Sequence, residues 1–391
     1  MRSGMTPIHV GSDKNSIVID WDDGHRSRFL YIWLRDACRC SLCGEPSFGD
    51  RRIVLSELPN TIAPVSFHLN NQNELVVLWN HDNHNSVYSS EWLRRHCYSK
   101  SERVNRRYRP TLWDGSSLPD IHPFSLLELK ESEANLYKMF ERLHQFGIVF
   151  LHDVPADGGV RQTASLLGYL RETNYGLVSD IRVEPEARTF ADLPEAAPLH
   201  TDEAFRIFPP GFTMLHAVQP SIDGQGASLF LDGFELVRRL REESPDAVDL
   251  LTRIPIRFSR LHPEEDDFLL HGKMIRLDPE GEISAVRLGL HNISPPDCDE
   301  CDVEPFYNAL RRVDRLVRDT SLRIVRRLEA GELVLVDNER VLHGRQAFDA
   351  SGGRHLLNGF VDRDSFHSRW RVLSKKLGYE ENFHKIFPGA R

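Results

Sequence analysis

Three polar side chains set far apart along this chain constrain its fold more than any other feature. His200 and Asp202 lie two residues apart in Ala197-Pro198-Leu199-His200-Thr201-Asp202-Glu203-Ala204-Phe205, and His343 lies in Asp337-Asn338-Glu339-Arg340-Val341-Leu342-His343-Gly344-Arg345. At the end of an extended strand, side chains at i and i+2 point the same way, so His200 and Asp202 can grip one ion from one side. With His343 as the third ligand, two imidazoles and one carboxylate occupy one face of an octahedral Fe(II) and leave the opposite face open for chemistry. A fold that serves these residues must bring the two stretches together.

A His-x-Asp pair alone also occurs in surface loops and structural hydrogen bonds, so the second block carries the weight. Gly331-Glu332-Leu333-Val334-Leu335-Val336-Asp337 reads as an apolar strand leading to His343, and Arg354 follows in Gly352-Gly353-Arg354-His355-Leu356. An α-keto acid that chelates iron at one end has a distal carboxylate needing a planar, bidentate cation, which Arg354 supplies.

Residues 1–100 read as a separate β-rich unit that repeats itself. Runs 16–21 and 74–79 alternate as strands, with polar turn clusters between such runs. Trp21…His25…Ser27…Phe29…Trp33-Leu34-Arg35…Cys38 is echoed by Trp79…His84…Ser86…Tyr88…Trp92-Leu93-Arg94…Cys97, and two such copies would pack their tryptophans into one small core. Between the copies, Cys38, Cys40 and Cys43 put three thiols within six residues, enough to wrap one soft cation that needs a fourth ligand. Cys298 and Cys301 form a lone Cys-x-x-Cys among acidic residues and read as surface thiols.

A polar stretch with Pro110, Pro119 and Pro123 reads as a linker over 101–124, followed by a second domain over 125–391. Residues 125–145 carry helical spacing in Leu126, Leu129, Leu136, Met139, Phe140 and Leu143; Gly147 fits the end of that helix, and 148–151 is a buried strand. Residues 161–171 and 305–328 also read as helices. Periodicity alone says mixed α and β. The net charge of -9 argues against a nucleic-acid partner, and the arginine run Arg103, Arg106, Arg107 and Arg109 reads as a solvated linker. No apolar stretch approaches the roughly 20 residues that cross a bilayer, so a cytoplasmic protein with no membrane partner is expected.

The chain resembles the Fe(II)/2-oxoglutarate dioxygenases, and within them the γ-butyrobetaine hydroxylase and trimethyllysine dioxygenase family. The matching pieces span almost the whole chain: Leu199-His200-Thr201-Asp202, Pro209-Pro210-Gly211, Leu215-His216, Ser228 with Asp232-Gly233-Phe234, Asp337-Asn338, Leu342-His343-Gly344-Arg345, and Arg354-His355-Leu356 with Asp362-Arg363-Asp364. The resemblance implies a mainly β, mixed α/β fold: a double-stranded β-helix (jelly-roll) catalytic domain with helices packed outside, behind a small zinc-binding N-terminal domain. It implies Fe(II) on His200, Asp202 and His343, with 2-oxoglutarate and O2 as cosubstrates. Arg354 and Ser228 would hold the far carboxylate of 2-oxoglutarate. Oxidative decarboxylation would yield succinate and CO2 while an aliphatic C–H is hydroxylated. It further implies structural Zn(II) on Cys38, Cys40, Cys43 and His84; Asn80-His81-Asp82-Asn83 is one residue longer than the family spacing, which leaves His81 as a rival ligand.

The implied substrate is a small trimethylammonium zwitterion, γ-butyrobetaine or 2-(trimethylammonio)ethylphosphonate, held by its cation in an aromatic cage. Tyr175 matches one cage tyrosine, Phe360 stands where the family has another, Ser179 falls where it has a bulky aromatic, and the loop around Phe190-Ala191-Asp192 is longer. Asp180 or a nearby acid could offset the lost π attraction, and Arg287, His291 and Asn292 fall where the family meets the substrate anion. A homodimer is also implied. A taurine- or sulfonate-type dioxygenase would share the triad and arginine but lack the cysteine module; a non-enzymatic zinc-bearing scaffold would have no reason to keep the triad and Arg354 together.

Overall fold

In the computed structural model, residues 6–45, 47, 49–117, 122–262 and 265–379 are described. Pro119, part of the expected linker, lies outside them. The chain divides into two compact units, Met1–Arg107 and Tyr108–Arg391.

The first unit is the repeat made visible. Pro7–Asp13, Ser16–Trp21 and Arg26–Leu30 form one antiparallel sheet, followed by the helix Tyr31–Asp36; Pro64–Leu69, Leu75–Trp79 and Asn85–Tyr88 form the other, followed by Ser90–His96. Strands with one buried face need alternating residues, and Asn85–Tyr88 is exposed and buried in turn. Trp21 and Trp79 sit in one shared core with Ile17, Phe29, Leu75 and Val77. The segment 101–107, assigned to the linker by composition, opens with the helix Lys100–Asn105, capped by Ser99.

The second unit is a two-sheet β-core. One sheet orders Ala197–His200, Val341–Arg345, Ser228–Asp232 and Arg323–Arg326; the other orders Phe124–Ser125, Ile148–His152, Leu333–Asp337, Phe212–Gln219, His355–Val361 and Val178–Ile181. Every strand pair is antiparallel except the first of the larger sheet. Phe150, Phe230, Leu215, Val334, Val336 and Leu356 form one buried cluster drawn from both sheets. Leu136, Phe140, Leu143 and Phe366 carry helices onto the larger sheet, at Val149, Leu151, Leu333 and Leu335.

The helix expected over 125–145 is two helices, Leu126–Glu131 and Glu133–Phe146. Ser132 breaks it: its backbone is extended, and its hydroxyl accepts from Asn135 N, capping the second helix. Gly147 closes that helix at φ 75°. The helix expected over 161–171 is Gly159–Leu167. The helix expected over 305–328 is Glu300–Arg318; Asp319 accepts from Ser321 N and turns the chain, and Arg323–Arg326 pairs as a strand with Ser228–Asp232.

Candidate active site and cysteine cluster

Strand pairing explains how residues so distant in sequence meet. Ala197–His200 runs antiparallel to Val341–Arg345, with His200 directly opposite His343. The approach is close: a Cβ at Gly344 would lie 2.8 Å from Ala197 O and 3.1 Å from Leu199 N, so only glycine fits after His343. The imidazole centroids stand 4.6 Å apart.

Asp202 completes the group from the turn beyond the strand. Its Oδ1 is 3.4 Å from Nε2 of both His200 and His343. Bonds of about 2.1 Å at right angles put neighbouring ligand atoms about 3 Å apart, so the three atoms suit one face of an octahedral ion. His200 Nδ1 lies 2.8 Å from Pro198 O; a carbonyl only accepts, so Nδ1 carries the proton and the Nε2 lone pair faces the shared centre. Burial works against charge on Asp202, but the facing His343 and His200 outweigh it whenever they are protonated, and then hold the carboxyl far below the usual range.

The turn itself is clamped. Asn338 Oδ1 accepts from Asp202 N at 2.6 Å, and Asn338 Nδ2 donates to Asp202 O and to Pro210 O at 3.0 Å each. Thr213 donates its hydroxyl to Asp202 Oδ2 at 2.9 Å. Glu203 sits at φ 53°, a left-handed conformation that costs a non-glycine residue about 1–3 kcal/mol. Its carboxylate is held by Arg206, with Nε 2.6 Å from Oε2.

The group opens into a cavity of about 1100 Å³ that also holds Arg354, Ser228, Tyr175, Ser179, Phe360, His291 and Asn292. Arg354 is buried, stacks 5.5 Å from the Phe348 ring, and has no carboxylate or hydrogen-bond partner among the described residues. Burial, with Arg345 adding, pushes it down to about 9. Burial, with His200 and Arg260 adding, pushes His291 down to about 4, so its ring is neutral near pH 7.

One expected contact is differently placed, and a second is already engaged. Arg287 does not line the cavity; its guanidinium points to Ile207 O, 3.4 Å away. Asp180 borders the cavity, yet its carboxylate is 2.6 Å from His355 Nε2 and so is already engaged. Sequence reasoning missed Thr213, Asn338 as a clamp, Phe205, Arg260 and Asn358, although Phe205 stands only three residues after Asp202.

In the first unit, Cys38, Cys40, Cys43 and His84 converge. His84 Nε2 lies 3.4, 3.5 and 3.4 Å from the three sulfurs in that order. One imidazole lone pair cannot accept three thiol protons, whereas tetrahedral bonds of about 2.3 Å to sulfur and 2.0 Å to nitrogen put S and N about 3.5 Å apart. His81 is exposed and stands outside the group.

A jelly-roll core that gathers two imidazoles and one carboxylate on the wall of a large cavity defines a metal-dependent oxygenase. Residues 105–360 match the family model described as taurine catabolism dioxygenase TauD, TfdA family, and residues 8–94 match that described as gamma-butyrobetaine hydroxylase-like, N-terminal. The chain belongs to the TauD, TfdA dioxygenase family, with a gamma-butyrobetaine hydroxylase-like N-terminal domain. It is 34% identical over 372 residues to the gamma-butyrobetaine dioxygenase of Pseudomonas sp. (strain AK-1), covering 94% of this chain and 96% of that protein. Identity to the trimethyllysine dioxygenase of Meyerozyma guilliermondii is 28% over 391 residues (94% and 96% covered), and to the gamma-butyrobetaine dioxygenase of Homo sapiens 27% over 371 residues (91% and 94%).

Proposed function

We propose that this dioxygenase uses Fe(II) and 2-oxoglutarate to hydroxylate an aliphatic C–H of a small trimethylammonium zwitterion. One observation carries the reading: a buried Arg354, with no acid or hydrogen-bond partner among the described residues, shares a cavity with the converged His200, Asp202 and His343. A guanidinium kept out of water without an acid is costly unless a ligand carboxylate meets it, and a dicarboxylic keto acid supplies one. When bound, iron and the keto acid supply the oxidising power, with loss of CO2 and formation of succinate.

The protein's own residues hold and exclude. His200, Asp202 and His343 would fix the ion through Nε2, Oδ1 and Nε2, and leave its other face to cosubstrate and oxygen. Arg354, with Ser228 beside it, would anchor the distal carboxylate. Tyr175, Phe190 and Phe360 offer apolar ring surface to a quaternary cation, which cannot hydrogen-bond and favours π faces. Asn292 and Arg260, which line the cavity, would donate to the substrate anion in place of Arg287. The cysteine cluster with His84 would hold a structural zinc, since four protein ligands leave no open position.

The substrate reading is favoured by relatives named for γ-butyrobetaine and trimethyllysine dioxygenation. Succinate production coupled to turnover, measured over a panel of trimethylammonium carboxylates, phosphonates and sulfonates, tests it. Stimulation by at least one quaternary amine is expected. Stimulation by sulfonates lacking a quaternary nitrogen, and by no quaternary amine, would overturn the substrate class and leave the iron site standing.

A further inference from the structure

The two copies in the first unit match beyond their strands. Trp21 Nε1 donates to Ser27 Oγ at 2.9 Å, and Trp79 Nε1 donates to Ser86 Oγ at 2.9 Å. Arg35 Nη2 crosses to Asp82 Oδ2 of the other copy at 2.6 Å, and its counterpart Arg94 Nη2 crosses to Asp23 Oδ2 at 2.7 Å. His84 crosses to Cys38 at 3.4 Å, and His25 crosses to Cys97 at 3.4 Å. The cluster's histidine and first cysteine therefore have an exact pair of counterparts at a second place in the same unit.

The correspondence runs on through the remaining ligands. Cys40 and Cys43 follow Cys38 by two and five positions, and Ser99 and Glu102 follow Cys97 by two and five. Arg35 Nη1 lies 3.3 Å from Cys43 Sγ, and Arg94 Nη2 lies 3.0 Å from Glu102 Oε1. Glu102 thus stands beside Arg94 as Cys43 stands beside Arg35, and a carboxylate is itself a ligand for zinc-like ions; its oxygens and the His25 and Cys97 atoms do not all lie within 4.8 Å of one another, so the carboxylate must move to ligate.

We propose that His25, Cys97 and Glu102 form a second, weaker position for a thiophilic divalent cation of the zinc and cadmium class. The proposal rests on reading Cys38, Cys40, Cys43 and His84 as a metal site. Binding expels the Cys97 thiol proton, and Glu102 swings from Arg94 toward the ion. Three protein ligands leave the fourth place to water, so the ion exchanges where the cluster's does not. Several features make it the weaker position. It has one thiolate instead of three, Ser99 Oγ is occupied as the cap accepting from Glu102 N, and the Arg94–Glu102 contact must open. Burial lowers the His25 pKa, with Arg94 adding, so its ring offers a lone pair near pH 7.

Cadmium alone, titrated into the full chain, tests this through thiolate-to-cadmium charge-transfer absorption, in a Cys298→Ser/Cys301→Ser background that removes the other thiols. The His200, Asp202 and His343 group holds no sulfur and is silent. A tight first step is expected, then a weaker second step adding about one-third of its intensity, one thiolate against three. Cys97→Ser and His25→Ala should abolish the second step and spare the first. Glu102→Gln, which changes only a partly exposed side chain, should weaken it, and Glu102→Cys should tighten it by about tenfold or more and raise its intensity. Saturation after the first step, or a second step indifferent to Cys97→Ser, overturns the proposal; absence of the first step overturns the cluster reading instead.

Discussion

The Thr213 hydroxyl donates to one carboxylate oxygen of Asp202, Oδ2, at 2.9 Å, and thereby turns the other, Oδ1, to stand 3.4 Å from both imidazoles. A carboxylate free to rotate can chelate an ion through both oxygens and take a place that cosubstrate or oxygen needs. Thr213→Val should therefore weaken metal affinity by about tenfold or more, the usual effect of removing a partner that orients a ligand, while Thr213→Ser keeps most of it. Calorimetric titration of Fe(II) under anaerobic conditions checks both.

Arg354 should hold the far carboxylate at any assay pH. Burial, with Arg345 adding, lowers its pKa, yet a guanidinium keeps its charge across the accessible range, so Arg354 should add no pH dependence to the KM for 2-oxoglutarate. An unchanged KM on removing the guanidinium takes Arg354 out of cosubstrate anchoring. Arg354→Ala should raise the same KM by about tenfold or more at neutral pH.

The Arg340–Asp232 pair is fully buried on both sides, with Nη2 2.7 Å from Oδ2 and Nε 3.1 Å from Oδ1. Asp232 also accepts from Phe234 N and Trp113 N, and Arg340 also donates to Thr111 O and Gln145 O. Removing one partner strands a charge with no water to meet it, so Arg340→Met should cost about 3–5 kcal/mol. Urea unfolding reads that loss; a cost under about 1 kcal/mol would mean the pair relaxes into solvent.

Gly344→Ala should separate folding from function. The added methyl meets Ala197 O and Leu199 N, the backbone of the strand that carries His200, at 2.8 and 3.1 Å. Metal affinity and turnover should fall steeply while far-UV circular dichroism is preserved. Retained affinity would show that the two strands tolerate the wider spacing.

The triad was legible in the sequence because its chemistry needs few residue types at a tight spacing, and because the apolar run before His343 announced a strand. His84 became legible through resemblance, and the geometry separates it from His81 by distance to the sulfurs. Thr213 and Asn338 were not legible as positioning groups. Each acts on Asp202 through a hydrogen bond set by strand register and turn shape, which local sequence does not encode. Ser132 was hidden inside a good helical pattern, since apolar spacing continues across the cap that interrupts it. Arg323–Arg326 was absorbed into a predicted helix because four residues are too few to show a period of two against a neighbouring period of 3.6. Arg287 was assigned by position in the family pattern, and its side chain turns to Ile207 instead; Asp180 was assigned as an acid to offset lost π attraction, and it borders the cavity with its carboxylate engaged by His355.

The most direct test is anaerobic titration of Fe(II) into the chain with 2-oxoglutarate present, following the visible charge-transfer band that a chelated keto acid gives on ferrous iron. One equivalent should saturate the band in the wild-type chain, and His200→Ala, Asp202→Ala and His343→Ala should each abolish it together with succinate production. A His343→Ala chain that develops the band at wild-type affinity would contradict the account, because the ion would then sit somewhere other than between His200, Asp202 and His343.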